Sequence, residues 1–444
     1  MEGLEISVVK LSEVLEDVDL RLESEYYNSE HIVFNSVQGC DIESFSQYGT
    51  SEDLNEEGKG FPILRLNEFD SFFISKPSKY CDLISKETFE LLKLKKNDVL
   101  ICRTNGNPKY VGKAAIVPKN YEYAFASYVY RLRPKTDIIN SATLVSFLNS
   151  KYGRIEIEKY SMVGNQANFS PAKFRQIAIP ILSKELNNKI EEIVYKSFEL
   201  LEESKSLYSQ AEDLLLGELG LKDWQPKNTL HTTKKFSDFA QSGRLDAEYY
   251  QPKYDEIEKE LSKKNTLEIS KIGQICDKNF SPIDNVEYKY IELADIGAYG
   301  EITGCTMAIG SELPTRARRI IHKGDVLISS IEGSLQSCAI VPKEFDNALC
   351  STGFYVMTPN KINAETLLIL LKSTVIQLLL KKGCSGTILT NISKDEFLKI
   401  KIPILPESIQ TKIASLIQQS FECKAQSKQL LEDAKRIVEE EIEK

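Results

Sequence analysis

Two kinds of apolar spacing alternate along the chain, and the alternation occurs twice. Short β-branched or aromatic runs bounded by Gly, Pro or Asn predict strands at Phe61-Pro-Ile-Leu-Arg-Leu66, Asp98-Val-Leu-Ile-Cys102, Ala114-Ala-Ile-Val117 and Ser127-Tyr-Val-Tyr-Arg-Leu132. A helix is predicted near 141–160, with a counterpart near 364–382. A strand ending in Ile-Pro-Ile-Leu follows, and a long helix closes each half. The long helices carry heptad spacing. Ile190, Val194, Ser197, Leu201, Ser204, Tyr208, Ala211 and Leu215 form one stripe. Ile413, Ile417, Ser420, Lys424, Ser427, Leu431, Ala434 and Val438 form the other in the same register. Small Ser and Ala alternate with large aliphatics, which lets two backbones approach closely, so the stripes are expected to face each other as an antiparallel coiled coil. About 35 residues of helix, roughly 50 Å, exceed what a domain of this size needs. The alternative is that each stripe packs on its own globular domain. Lys424 departs from the stripe; its stem can cover apolar surface while its charge stays in water.

The halves repeat with a period of about 223 residues. Arg21-Leu-Glu-Ser-Glu-Tyr-Tyr27 matches Arg244-Leu-Asp-Ala-Glu-Tyr-Tyr250, and Asp98-Val-Leu-Ile101 matches Asp325-Val-Leu-Ile328. Ala115-Ile-Val-Pro-Lys119 matches Ala339-Ile-Val-Pro-Lys343, and Ile179-Pro-Ile-Leu182 matches Ile402-Pro-Ile-Leu405. Between these anchors, 28–97 and 251–324 share little, so one scaffold is expected to present two different surfaces. The expected organisation is α+β: a first domain over 1–182, a long helix over 183–221, a linker over 222–235, a second domain over 236–404 and a second long helix over 405–444. Gly217 and Gly220 are expected to end the first helix.

Composition narrows the chemistry. The nine cysteines include no CxxC pair, and the three histidines do not pair with cysteines at ligand spacing, so neither disulfides nor a metal site are expected. No run of about 18 apolar residues occurs, and the acidic N-terminus lacks the features of a signal peptide; a cytoplasmic protein is expected. The net charge of −9 argues against a nucleic-acid binder taken alone, but local patches decide binding.

Several segments resemble the target-recognition domains of Type I restriction–modification specificity subunits. They are Tyr48-Gly-Thr-Ser51, Gly58-Lys-Gly-Phe-Pro-Ile-Leu-Arg-Leu66, Leu94-Lys-Lys-Asn-Asp-Val-Leu-Ile-Cys-Arg-Thr-Asn105 with Tyr110-Val-Gly-Lys113, Phe125-Ala-Ser-Tyr-Val-Tyr-Arg-Leu-Arg-Pro134, Asn165-Gln-Ala-Asn-Phe-Ser170 and both Ile-Pro-Ile-Leu ends. The likeness spans the chain in the family's order of domain, helix, domain, helix. It departs at the helix starts, where the family's Pro-Pro-Leu and Glu-Gln are replaced by Ser183-Lys-Glu-Leu-Asn-Asn188 and Pro406-Glu-Ser-Ile-Gln410. The resemblance implies a non-catalytic subunit whose two domains each read one arm of a split DNA target while the helices set the gap. It implies two adenine methyltransferase subunits gripping the chain and restriction subunits joining them. S-adenosylmethionine, ATP and Mg would sit on those partners, with no cofactor, metal or membrane contact on this chain. A Type II-like assembly is the near alternative.

Phosphate contacts supply affinity and base edges supply sequence choice. In the first half Lys93, Lys95, Lys96, Arg103, Lys109 and Lys113 form a basic set expected to cluster with little opposing acid. The turn Arg103 to Tyr110 offers Arg103 for guanine and Asn105 and Asn107 for adenine, and Gln166 and Asn168 lie on a second polar loop. Asn105 and Asn107 also flank Gly106 and suit a tight turn. In the second half Arg316, Arg318, Arg319, His322 and Lys323 form the matching run. The corresponding turn carries Ser330, Glu332, Ser334 and Gln336, where Glu332 suits cytosine and Gln336 adenine; Asn391 and Thr390 parallel Asn168 and Ala167.

Two other classes compete. Asn107-Pro-Lys-Tyr110 resembles the Asn-Pro-Pro-Tyr motif of amino-methyltransferases, but Lys109 replaces the second proline and no glycine-rich cofactor loop accompanies it. A coiled-coil scaffold that never touches DNA would suit the acidic net charge.

Overall fold

The computed structural model describes all residues except 1–7, 17–33, 71, 162–166, 223, 226–228, 230 and 387–389. Arg21–Tyr27 and Gln166 therefore lie outside the described residues. The chain divides into two compact units: Met1–Glu202 with Lys424–Lys444, and Glu203–Cys423.

In the first unit an antiparallel sheet runs in the order Glu43–Tyr48, Val129–Pro134, Val99–Cys102, Ala114–Ile116. In a second sheet, Phe61–Leu64 pairs parallel with Ala124–Phe125 and antiparallel with Lys79–Cys81. The second unit repeats both patterns. Its first sheet runs Gly273–Ile275, Phe354–Pro359, Val326–Ser329, Cys338–Ile340. In its second, Glu287–Ile291 pairs parallel with Leu349–Ser351 and antiparallel with Thr306–Ile309, and Ala317–Ile320 adds a further strand.

The repeated sequence anchors build the same turns. Asn97 and Gly324 both adopt positive φ, 70° and 88°, one residue before the acid that opens the central strand. Asp98 accepts from the Lys95 amide at 2.9 Å, and Asp325 from the His322 amide at 2.8 Å. Asp98 also binds Arg131 at 3.2 Å and Arg133 at 2.5 Å, whereas Asp325 accepts from the Thr358 hydroxyl at 2.6 Å. One buried acid is thus satisfied by two different partner sets, as buried carboxylates require.

The single helix expected near 141–160 is two helices, Ser141–Leu148 and Lys151–Tyr160. The Ser150 hydroxyl accepts from the Gly153 amide and restarts the helix as an N-cap. Ser373 does the same between Ala364–Lys372 and Thr374–Gly383. Gly217 lies inside the first long helix, which runs Lys184–Leu219. Gly220 alone ends it, at φ 66°.

The second long helix runs Glu407–Ile442. In the first unit the Ser197 hydroxyl meets that of Ser427 at 2.9 Å; in the second, Ser204 meets Ser420 at 3.0 Å. A step of seven residues forward on one helix is a step of seven back on the other, so the helices pair antiparallel. Ile190, Val194 and Leu201 share a core with Leu431, Ala434 and Val438 in the first unit. Ala211 and Leu215 share one with Ile413 and Ile417 in the second. Both cores also contain residues of the globular parts, so the stripes bind their sister helix and their domain together.

The departures at the helix starts build one clamp twice. The Asn187 carbonyl accepts from Asn140 Nδ2 at 2.8 Å, and its own Nδ2 donates to Leu182 O. The Gln410 carbonyl accepts from Asn363 Nδ2 at 3.0 Å, and Gln410 Nε2 donates to Leu405 O. Asn140 and Asn363 are themselves the N-caps of the preceding domain helices.

Candidate nucleic-acid interface

In the first unit the strand Val99–Cys102 leads into a loop that returns at Ala114. Thr104 and Asn105 pair with Asn168 and Ala167, and the Phe169 amide donates to Arg103 O at 2.8 Å. This brings Arg103, Asn105 and Asn168 together. The Arg103 guanidinium lies over the Tyr48 ring, 5.1 Å from its centroid, and its Nε is buried without a partner among the described residues. The two asparagines shape the turn: Asn105 Oδ1 accepts from the Asn107 amide at 2.8 Å, and Asn107 Oδ1 from the Lys109 amide at 3.1 Å. Their oxygens are therefore occupied locally, while exposed Lys109 and Tyr110 continue the loop. The Lys113 ammonium stands 5.9 Å from the Tyr110 ring. Burial pushes the Cys102 thiol beneath the loop up to about 12, so it stays protonated.

The basic set expected in this half is not one cluster. Lys93, Lys95 and Lys96 precede the central strand while Arg103, Lys109 and Lys113 follow it, so the strand's four residues, about 13 Å, separate the groups. Nor is opposing acid scarce: Lys93 is held by Glu122 at 2.9 Å and Glu90 at 3.0 Å, and hydrogen bonds to Glu122 first and then Glu90 raise its pKa. The Lys96 ammonium lies 4.7 Å from the centroid of the Tyr195 ring on the first long helix. Lys95 is exposed.

The second unit has the same frame with other side chains. The Ile392 amide donates to Ser330 O at 2.9 Å, the counterpart of Phe169 to Arg103, and Ile331 bridges to Asn391. Asn391 thus occupies the place of Asn168, and Thr390 that of Ala167. Glu332 accepts from the Thr390 hydroxyl, so an acid stands where the first unit has Asn105. The serines serve the loop itself: Ser330 donates to Gly353 O at 2.9 Å, and Ser334 meets Ser329 at 2.9 Å. Gln336 faces the domain, where its backbone carbonyl accepts from the Lys372 ammonium at 2.6 Å and its side chain donates to Lys372 O at 3.5 Å.

The arginine run here is also divided. Arg316 O accepts from the Thr352 amide at 2.9 Å, one residue from Gly353, which places Arg316 beside the loop. Arg318 and Arg319 lie on the strand Ala317–Ile320 and donate to Thr315 O and Cys276 O. His322 and Lys323 sit before the central strand, with Asp346 taking the His322 imidazole at 3.5 Å and the Lys323 amide at 3.0 Å. Sequence reading missed Tyr48 as the platform under Arg103, because sheet register alone brings the two together.

A model of the Type I restriction modification DNA specificity domain matches residues 50–207 and 260–436, more than half of the chain and both halves of the repeat. The chain belongs to this family. Its two specificity domains are the two copies of the fold described above, and DNA sequence specificity is the family's role. Among solved structures the chain is similar to the S subunit of a Type I restriction-modification system from M. genitalium, with 14% identity, 94% of this chain and 96% of that chain covered, and a TM-score of 0.43. It is also similar to the HsdS subunit from Thermoanaerobacter tengcongensis, with 13% identity, 92% and 96% covered, and a TM-score of 0.29. No curated protein matches it. Among the described residues no helix is long and apolar enough to cross a membrane.

Proposed function

We propose that this chain is the subunit that specifies the target of a Type I restriction–modification assembly, each specificity domain reading one arm of a bipartite double-stranded DNA site. The observation that carries this reading is the family match in two segments, each containing the same paired-loop frame filled with different side chains. Arg103 offers donors that suit guanine O6 and N7, and Glu332 offers only acceptors, which suit the amino group of cytosine or adenine. The same frame therefore favours different bases in the two arms. Asn105, Asn107, Lys109, Tyr110, Lys113 and Asn168 complete the first surface, and Arg316, Ser334 and Asn391 the second. In this reading Lys95 and Lys96, and Arg318, Arg319 and Lys323, supply phosphate contacts away from the loops. The paired helices set the gap between arms and offer two equivalent surfaces to two methyltransferase subunits, with restriction subunits joining that core.

Adenine methylation, with its S-adenosylmethionine, and ATP- and Mg-dependent translocation belong in this reading to the partners; the chain itself is non-catalytic. The test has two parts. Purified chain with its methyltransferase subunit is titrated with duplex DNA at several salt concentrations, and affinity should fall steeply with salt. The chain alone is incubated with labelled S-adenosylmethionine and the same DNA, where methyl transfer would refute the non-catalytic assignment. A salt-independent or absent DNA interaction in the complex would instead favour a scaffold.

A further inference from the structure

In each unit a side chain at one equivalent position of a neighbouring helix ties the loop of the proposed interface to the domain. In the first unit Arg154, on the helix Lys151–Tyr160, donates from Nη1 to Val111 O at 2.8 Å and from Nη2 to Lys109 O at 3.4 Å. Burial lowers its pKa, although Glu158 partly offsets this. The loop lies tight on that helix: Gly112 has a φ of 76°, and a Cβ there would stand 2.4 Å from Ile157 Cγ2. In the second unit Gln377, on the helix Thr374–Gly383, donates from Nε2 to Leu335 O at 3.0 Å and to Leu371 O at 2.7 Å. Arg154 and Gln377 each stand four residues past the serine that caps its helix, Ser150 and Ser373. The two halves thus use different side chains at one helix position for one task.

We infer that Arg154 and Gln377 are positioning residues for base discrimination, each setting the pose of one reading loop and hence the sequence choice of one arm. The inference rests on the proposed DNA-reading function. Base-edge hydrogen bonds demand donors and acceptors placed to within about 0.5 Å, and such placement depends on the shell that supports the contacting group. Loop carbonyls held by a guanidinium or an amide supply that support. Phosphate contacts, being longer-ranged, tolerate a loosened loop far better.

The test is selection from a randomised duplex pool by the full-length chain with its methyltransferase subunit, comparing wild type, Arg154→Gln and Gln377→Leu. The expected result is that R154Q lowers discrimination at one arm tenfold or more while the other arm and the salt dependence stay as in wild type. Q377L should do the reverse, and Arg154→Lys, which keeps a cationic donor, should recover part of the loss. Thermal unfolding of each variant separates positioning from folding damage, because a merely structural role would weaken binding to that arm in proportion to lost stability without changing its choice between bases. Unchanged preferences in stably folded R154Q or Q377L, or equal blurring of both arms, would overturn the inference. If R154Q does not fold, Q377L decides by the same criterion. If the wild type selects no two-part motif, the DNA-reading function fails instead.

Discussion

The Arg103 guanidinium lies against the face of Tyr48, 5.1 Å from the ring centroid. Tyr48 ends the edge strand of the first sheet and Arg103 follows its central strand, so sheet register fixes the pair. Stacking limits the freedom of a long side chain and leaves its terminal donors directed along the ring plane.

Replacing Arg103 by Ala should reduce discrimination at one arm by about 1–3 kcal/mol and leave the other arm untouched. Tyr48→Leu should give a smaller loss at the same arm, because the donors remain but their platform does not. Competition binding with single-base variants of the target checks both. Equal losses on the two arms would point to folding damage.

The lysines should separate in a salt titration. Lys109 is exposed in the loop, so Lys109→Ala should lower the slope of log affinity against log salt by about 0.9 if it neutralises one phosphate. Lys93→Ala should leave the slope unchanged, because its ammonium is already held by Glu122 and Glu90.

The clamps at the helix starts predict a stability effect. Asn187→Ala removes the side-chain bonds to Leu182 O and to the Asn140 amide in a mostly buried setting. The expected cost is about 1–3 kcal/mol in thermal or denaturant unfolding. Asn187→Gln should recover part of it, since Gln410 holds the equivalent contacts in the second unit.

If the helices set the gap between arms, a heptad added in phase to both should lengthen each by about 10 Å. That is close to three base pairs at about 3.4 Å each. The preferred gap should grow by that amount while the sequences of the arms stay the same. A fixed gap would rule out the spacer role.

Much of the fold was legible because it depends on local pattern. The four expected strands of the first half, the long helices and their facing stripes follow from apolar periodicity, and Ser197, Ser204, Ser420 and Ser427 meet as their small size suggested. The break at Ser150 escaped because apolar periodicity continues across it; only the capping bond marks the restart. The site was legible in part. The repeat brought Asn168 and Asn391 to equivalent places. Spacing along the chain, however, grouped Lys93, Lys95 and Lys96 with Arg103, although a strand carries them to opposite ends. Residue type alone suits Gln336 to adenine, yet in the fold its side-chain amide reaches Lys372 O at 3.5 Å. Loop chemistry thus follows sequence, whereas the direction of each side chain follows the sheet.

The most direct test of the two-reader account is to map methylated adenines in DNA from cells that carry this chain and its methyltransferase partner. The account predicts modification within one motif made of two short defined blocks separated by a constant unspecified gap. Modification at a single continuous motif, or at adenines without sequence context, would contradict it.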